Sequence, residues 1–388
     1  MTNRILLLNN VSPAGLARFP SERYEIGHDI AHPDAILVRS FDMRSMKIAD
    51  SVKAVGRAGI GVDNIPVDAL SARGIPVFNT PGANANAVKE LVIAGLLLAA
   101  RNIFAARDFV RGLDADPRAF DLAVEAGKKQ FIGFELAGRT LGVVGLGAVG
   151  VEVANAALGL GMRVIGFDPA ISVSRAWQLS SGVQQAASLE ALLADADMVT
   201  LHAPLTPETR GLLDHRRLRL MRDRTVLLNF ARAHLIDETA LAEALESKTL
   251  LAYVTDFPTA AVRNHPSVVA LPHIGASTVE AEASSVSMAV DRLKEYLEDG
   301  VIRHSVNYPD AVLARGPGSR IAIANANVPG VVGHLSTAIA DAGLNISDML
   351  NVSRGDFAYT LVDVEGVAPP GLFERVTAIE GVLSARLL

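Results

Sequence analysis

The stretch TLGVVGLGAVGVEVANAALGLGMRVIGFDP, residues 140–169, allows few folds. An apolar run of strand length breaks at Gly145, Gly147 and Gly150, continues as an apolar-periodic helix, and returns as a second run, RVIGFD. That order is one β-α-β unit. Gly145 permits a tight turn, Gly147 lets the backbone approach a pyrophosphate, and Gly150 lets the helix pack closely on the strand, while the free N–H groups of the helix start face the phosphates. Asp168, eighteen residues past Gly150, closes the second run, where a carboxylate accepts from both ribose hydroxyls and repels a 2′-phosphate. The stretch predicts a dinucleotide site that prefers NAD to NADP, with Ala148 and Val149 opening the helix.

The 388 residues are enough for two to three domains, and 50% hydrophobic with 20% charged residues is the composition of an ordinary globular enzyme. With no cysteine, disulfides, thiolate nucleophiles and thiolate metal ligands are excluded, and no metal is expected. The start, MTNRILLLNN, is too short an apolar run for a signal peptide, and LVIAGLLLAA suits a buried helix better than a membrane span. A cytoplasmic protein with no membrane contact is expected. A net charge of −6 without a basic stripe argues against nucleic acid. An anionic substrate would then need a locally basic pocket.

Short apolar runs at 4–10, 35–40, 53–59 and 76–80 alternate with helical patterns, as in a parallel sheet covered by helices. A long helix from Asn84, apolar on most faces, leads out of this first domain. After the dinucleotide unit, strands are expected at DMVTLHAP, TVLLNFAR, LAYVTDF and VVALPHIG. The helix from Val279 to about Leu297 is long enough to return to the first domain. The expected division is 1–97 with 280–306, then 98–279, a Pro/Gly-rich linker at 307–319, and an independent unit at 320–388 with β-α-β-β-α-β order, the ferredoxin-like arrangement. The fold class is α/β, with two doubly wound parallel-sheet domains, flavodoxin-like and Rossmann, ahead of that unit.

Ligands of open α/β sheets sit at the carboxyl ends of the strands, which singles out His202, Asn229, Arg232, Asp256 and His273. A guanidinium at Arg232 can fork an α-hydroxy carboxylate and hold its carbinol carbon against the cofactor. An imidazole at His273 suits the hydroxyl proton, with His202 and His234 as competitors by residue type.

GLGAVG with Asp168, LHAPLTPETRGLL, NFARAHLID and PHIGAST, in that order, resemble the successive signatures of the D-isomer-specific 2-hydroxyacid dehydrogenases. GRAGIGVDNI and FNTPGANANAVKELVIAGLLLAAR resemble the first domain of the branch that acts on 3-phosphoglycerate, and the C-terminal unit resembles an ACT regulatory module. The resemblance implies NAD-dependent oxidation of 3-phospho-D-glycerate, the first step toward serine. Arg232 then binds the substrate carboxylate and His273 is the acid/base. His202, Ala203 and Pro204, Phe230 with Ala231, and Gly275 with Ala276 match segments that line the cofactor, and Asp256 matches the residue that holds the carboxamide. On the substrate side the matches are Arg39, Ser40, Gly59, Ile60, Gly61 and Asn84, with Arg57 and Lys128 or Lys129 as further positive charges for a phosphate. Asn325, Asn327 and Asn345 match an effector site for L-serine, Asn325 standing where such modules often have His, and Pro329 with Gly330 match the helix opening beside it. Pairing of cofactor domains and ACT units implies a homodimer or homotetramer.

One departure stands out. The family's Glu a few residues after the Asp, which hydrogen-bonds the catalytic imidazole, is missing from TDFPTAAVRNHP, and no carboxylate lies between Asp256 and His273. Either another carboxylate approaches His273 in space or the imidazole works at a lower pKa, and the second is expected. A glycerate or hydroxypyruvate reductase is the alternative within the family, and a non-catalytic NAD-sensing co-repressor the alternative outside it.

Overall fold

The computed structural model describes residues 2–113 and 116–388. The chain divides into two compact units, one running to Ala83 and resuming over Val279–Leu388, the other covering Asn84–Thr278. In the first, β1 (Asn3–Leu7), β2 (Tyr24–Gly27), β3 (Ala35–Val38), β4 (Ala54–Arg57) and β5 (Val77–Phe78) form a parallel sheet of order β2-β1-β3-β4-β5. Strand β3 is buried at every position, as parallel strands covered on both faces must be. No alternation marks YEIG as a strand, yet it pairs with β1 as the four-residue edge.

The second unit opens with α1 (Ala85–Ala100) and carries β6 (Thr140–Val144), α2 (Ala148–Gly159), β7 (Arg163–Phe167), β8 (Val183–Gln185), β9 (Met198–Leu201), β10 (Thr225–Asn229), β11 (Leu250–Thr255) and β12 (Val268–Ala270). Its parallel sheet runs β12-β11-β10-β9-β6-β7-β8. Strand β6 lies between β7 and β9, so the strand order reverses there and the glycine turn that follows β6 opens at the switch point. The unit boundary lies at Ala83/Asn84, not between 97 and 98, because α1 belongs to this sheet. A Cβ on its Gly95 would stand 3.1 Å from Leu228 and 3.2 Å from the Phe230 ring, so the helix backbone rests directly on β10. The helix stops at Arg101 because Asn102 turns to φ 49°.

Helix α3 (Val279–Asp299) returns to the first unit, burying Val286, Ala289, Val290 and Leu293 in the core of the first sheet. The remainder is an antiparallel sheet of β13 (Ser319–Ala326), β14 (Ile346–Arg354), β15 (Phe357–Val364) and β16 (Val382–Leu387) in the order β14-β15-β13-β16, crossed by α4 (Val331–Ala340) and α5 (Leu372–Thr377). Alternation along the strands splits its two faces. Ile321, Ile323 and Val362 meet Leu335 of α4 and Val376 of α5, whereas Ala322, Ala324, Tyr359 and Leu361 join the first sheet's core.

This sheet is therefore not the independent module expected, nor is 307–319 a free linker. Tyr308 is fully buried and donates its hydroxyl to Ser71 O at 2.8 Å, and the Asn307 amide accepts from Val77 N at 2.8 Å and donates to Ile75 O at 3.0 Å. Arg320, with no exposed surface, forks Asp363 at 2.6 and 2.7 Å and donates to the carbonyls of Asp299, Leu313 and Ala314. Among the described residues no helix is long and apolar enough to cross a membrane.

Candidate active site

The glycine turn of the second unit has three positions with three different steric demands. Gly145 sits at φ 91°, and a Cβ there would lie 2.7 Å from the His202 carbonyl carbon. A Cβ on Gly150 would lie 1.9 Å from Gly145 O, so α2 can start this close to β6 only with glycine. A Cβ on Gly147 would meet nothing within 4 Å, so the approach to the helix start is open. Asp168 directly follows β7 and braces the turn, accepting from Leu146 N and from Ala170 N, both at 2.8 Å. Beside it, His202 leaves β9 with its Nε2 3.0 Å from Thr200 Oγ1, and burial pushes its imidazole down to about 3, so it is neutral near pH 7. Ala203 and Pro204 continue this loop, with Pro204 O accepting from Thr209 Oγ1. Phe230 is 6% exposed and packs into the core, so its ring does not line open space.

Arg232 and His273 come from loops forty-one residues apart and meet on one ring. The Arg232 guanidinium lies 5.4 Å from the centre of the Phe257 ring, and the His273 imidazole lies 4.4 Å from it. Among the described residues no carboxylate pairs with Arg232 or hydrogen-bonds His273. Arg232 is steadied through its backbone, since Asn229 Nδ2 donates to Arg232 O at 2.9 Å, Ala231 N donates to Asn229 Oδ1 at 3.1 Å, and Arg232 Nη1 donates to Ala231 O at 2.7 Å. Asp256, 1% exposed, accepts from Gly275 N at 2.8 Å, which pins the loop of His273, Gly275 and Ala276. Burial pushes the Asp256 carboxyl above its ordinary range, although the Gly275 N–H and the charge of His273 pull the other way. Its Oδ1 is buried without a partner, as is Oδ1 of Asn84 at the start of α1. A buried acceptor with no donor is costly unless a ligand supplies one. The clear space at Gly147, the free N–H groups opening α2 and the orphaned Asp256 Oδ1 together fit a dinucleotide with an amide at its far end.

In the first unit the matched loops stand at the carboxyl ends of their strands. Arg39, Ser40 and Phe41 all donate backbone N–H to Asn9 Oδ1, at 3.2, 3.0 and 2.9 Å. The Arg39 guanidinium pairs with Glu282 at 3.0 Å, and Arg57 Nε donates to Asn64 Oδ1 at 3.1 Å. Gly59 N donates to Thr80 Oγ1 at 2.9 Å, Asn79 Nδ2 donates to Ile60 O at 2.7 Å, and Gly61 follows in the same loop. Asn9, Asn64, Asn79 and Thr80 organise these loops; Asn64, Asn79 and Thr80 fall within the GRAGIGVDNI and FNTPGANANAVKELVIAGLLLAAR segments without having been singled out, and no motif covers Asn9.

Other expected residues lie elsewhere in their tasks. Lys128 and Lys129 are exposed on a short 3₁₀ turn, Lys128 pairing with Glu125, and His234 is exposed. Asn325 is 2% exposed and spent inside its sheet, donating to Ala326 O at 2.8 Å and accepting from Thr360 Oγ1 at 3.3 Å. Asn327 donates to Gly355 O at 2.9 Å, and Asn345 is exposed. Gly330 opens α4 at φ 92°, a conformation that favours glycine, directly after Pro329.

In the second unit a parallel sheet with a glycine-bounded switch point carries an arginine and a histidine that converge beyond its strand ends, and the chain belongs to the D-isomer-specific 2-hydroxyacid dehydrogenase family. Residues 93–275 match that family's NAD binding domain. The chain is 37% identical over 295 residues to the D-3-phosphoglycerate dehydrogenase of Methanocaldococcus jannaschii, covering 74% of this chain and 54% of that one. It is 31% identical over 358 residues to the enzyme of the same name from Haemophilus influenzae, covering 88% and 83%. It thus spans about half the length of the first relative and most of the second. The NAD⁺-bound 3-phosphoglycerate dehydrogenase structure from Entamoeba histolytica superposes with a TM-score of 0.61 at 25% identity, covering 79% of this chain and 99% of that one.

Proposed function

We propose that the chain oxidises 3-phospho-D-glycerate to 3-phosphohydroxypyruvate with NAD as acceptor, the first step of L-serine biosynthesis. The observation that carries the reading is the convergence of Arg232 and His273 on Phe257, beside a switch point shaped for a dinucleotide. NAD, when bound, supplies the hydride acceptor. Arg232, with no carboxylate partner among the described residues, forks the substrate carboxylate and orients the carbinol carbon, and His273 takes the hydroxyl proton at a ring nitrogen. The N–H groups opening α2 hold the pyrophosphate, Asp168 accepts from the ribose, and Asp256 Oδ1 accepts from the carboxamide. Arg39, Ser40, Arg57, Gly59, Ile60, Gly61 and Asn84 are read, on the family resemblance alone, as substrate-side residues. The antiparallel C-terminal sheet is read as a ferredoxin-like ACT module that takes serine through Asn327 and Asn345, with Asn325 shaping the sheet beneath them. A homodimer or homotetramer accompanies this reading, as does the cytoplasm as its compartment.

A hydroxypyruvate or glycerate reductase is the second reading, favoured by the Arg39–Glu282 pair, which already engages one of the cations a phosphate would need. The test is NADH oxidation with phosphohydroxypyruvate, hydroxypyruvate and 2-oxoglutarate side by side. A strong preference for the phosphorylated acid supports the first reading, and indifference to the phosphate supports the second. NADH binding with no turnover of any of the three removes both and favours a cofactor-sensing protein.

A further inference from the structure

We propose that Phe257 is a positioning residue for this reaction: its ring holds the Arg232 guanidinium and the His273 imidazole, neither of which pairs with a carboxylate among the described residues. The proposal rests on the reading of Arg232 and His273 given above. Phe257 is fixed from both sides. Its N–H donates to Thr255 Oγ1 at 2.9 Å, and that hydroxyl donates to Asn229 O at 2.8 Å, so its backbone is tied to the strand end that also carries Arg232. On its other side, Asp256 anchors the His273 loop through Gly275 N. The ring is partly buried and tilts 45° to the imidazole at 4.4 Å, within the range where aromatic rings attract. The guanidinium at 5.4 Å is within cation–π reach. The end of β11 and the two residues after it, 255–257, therefore order the guanidinium and the imidazole together.

A bulky aliphatic side chain would fill the same space without the π-face, which separates positioning from packing. In Phe257→Leu, kcat for NADH-dependent reduction of phosphohydroxypyruvate is expected to fall about tenfold to a hundredfold, the range a small misplacement of reacting groups produces. KM should rise as Arg232 loosens, NADH affinity should stay within about twofold, and Phe257→Tyr should restore most of the rate. The independent readout is the proton NMR signal of the His273 imidazole C–H, assigned by its loss in His273→Gln. Ring current from Phe257 displaces it in the wild type and in the Tyr variant, and the displacement is lost in the Leu variant. Unchanged kinetics in Phe257→Leu, with or without movement of the signal, overturns the positioning role, as does an unmoved signal. If the wild type turns over no 2-oxo acid, the reading of the function fails, and the NMR comparison still decides whether the ring holds His273.

Discussion

Alanine at Gly150 and alanine at Gly147, three residues apart in one motif, should fail in opposite ways. At Gly150 the new Cβ would stand 1.9 Å from Gly145 O and 3.0 Å from its carbonyl carbon. Ordinary contact needs well over 3 Å, so the helix start or the turn must move by more than about 1 Å. The obstacle is backbone, and Gly145 is itself held at φ 91°, so no side chain can swing aside. Overpacking of this kind costs about 3 kcal/mol, and alanine's helix propensity offsets about 1 kcal/mol. The net loss of about 2 kcal/mol corresponds to a fall in melting temperature of about 4–8 °C for a domain of this size. At Gly147, φ is −72° and a Cβ meets nothing within 4 Å, so the protein should melt within about 2 °C of wild type. The added methyl stands where the pyrophosphate must approach, and NADH affinity should drop at least about tenfold. Differential scanning fluorimetry and fluorescence titration with NADH read both quantities on the same samples. A Gly147→Ala protein that binds NADH normally, or a Gly150→Ala protein that melts like wild type, would refute the steric account of the turn.

Three further outcomes follow from buried charge. Because burial raises the Asp256 carboxyl, the fold disfavours its charge above the ordinary carboxylate range; Asp256→Asn should therefore raise the melting temperature near pH 7 while weakening NADH binding, measured by the same two assays. Burial works against Asp363 too, but the Arg320 fork and Gly316 N–H hold its carboxyl below the ordinary range, so its contribution is present above about pH 4 and lost on acidification. Asp363→Asn leaves the buried Arg320 with its three carbonyl partners but no opposite charge, and chemical denaturation at pH 7 should show a loss of about 3–5 kcal/mol that narrows below about pH 4. Burial holds His202 down to about 3, so the unfolded chain takes this proton first and stability falls as pH drops below about 6.5; His202→Gln should flatten the melting temperature between about pH 6.5 and 4.

How much of this was legible beforehand depends on the range of the interactions involved. Gly145, Gly147, Gly150 and Asp168 are readable because one β-α-β unit contains both the motif and its structural reason. Arg232 and His273 are readable as strand-end residues, but that they share Phe257 is a contact across loops that no local pattern encodes. The same limit hid Asn9, whose side-chain oxygen takes three N–H groups thirty residues and more away. Strands β2 and β8, of four and three residues, are too short to set a period. The Pro/Gly-rich composition of 307–319 is that of a linker, but Asn307 and Tyr308 dock on Ser71 and Ile75, more than two hundred residues away, and the buried Arg320–Asp363 pair seals the unit behind them.

The claim on which the account turns is that Arg232 and His273 act together on one substrate. NADH consumption with phosphohydroxypyruvate, in the wild type and in Arg232→Gln and His273→Gln, tests it most directly. The expected result is turnover by the wild type and a loss of about a hundredfold or more in kcat/KM in each variant, with NADH affinity preserved. Near-normal turnover in either variant would contradict it.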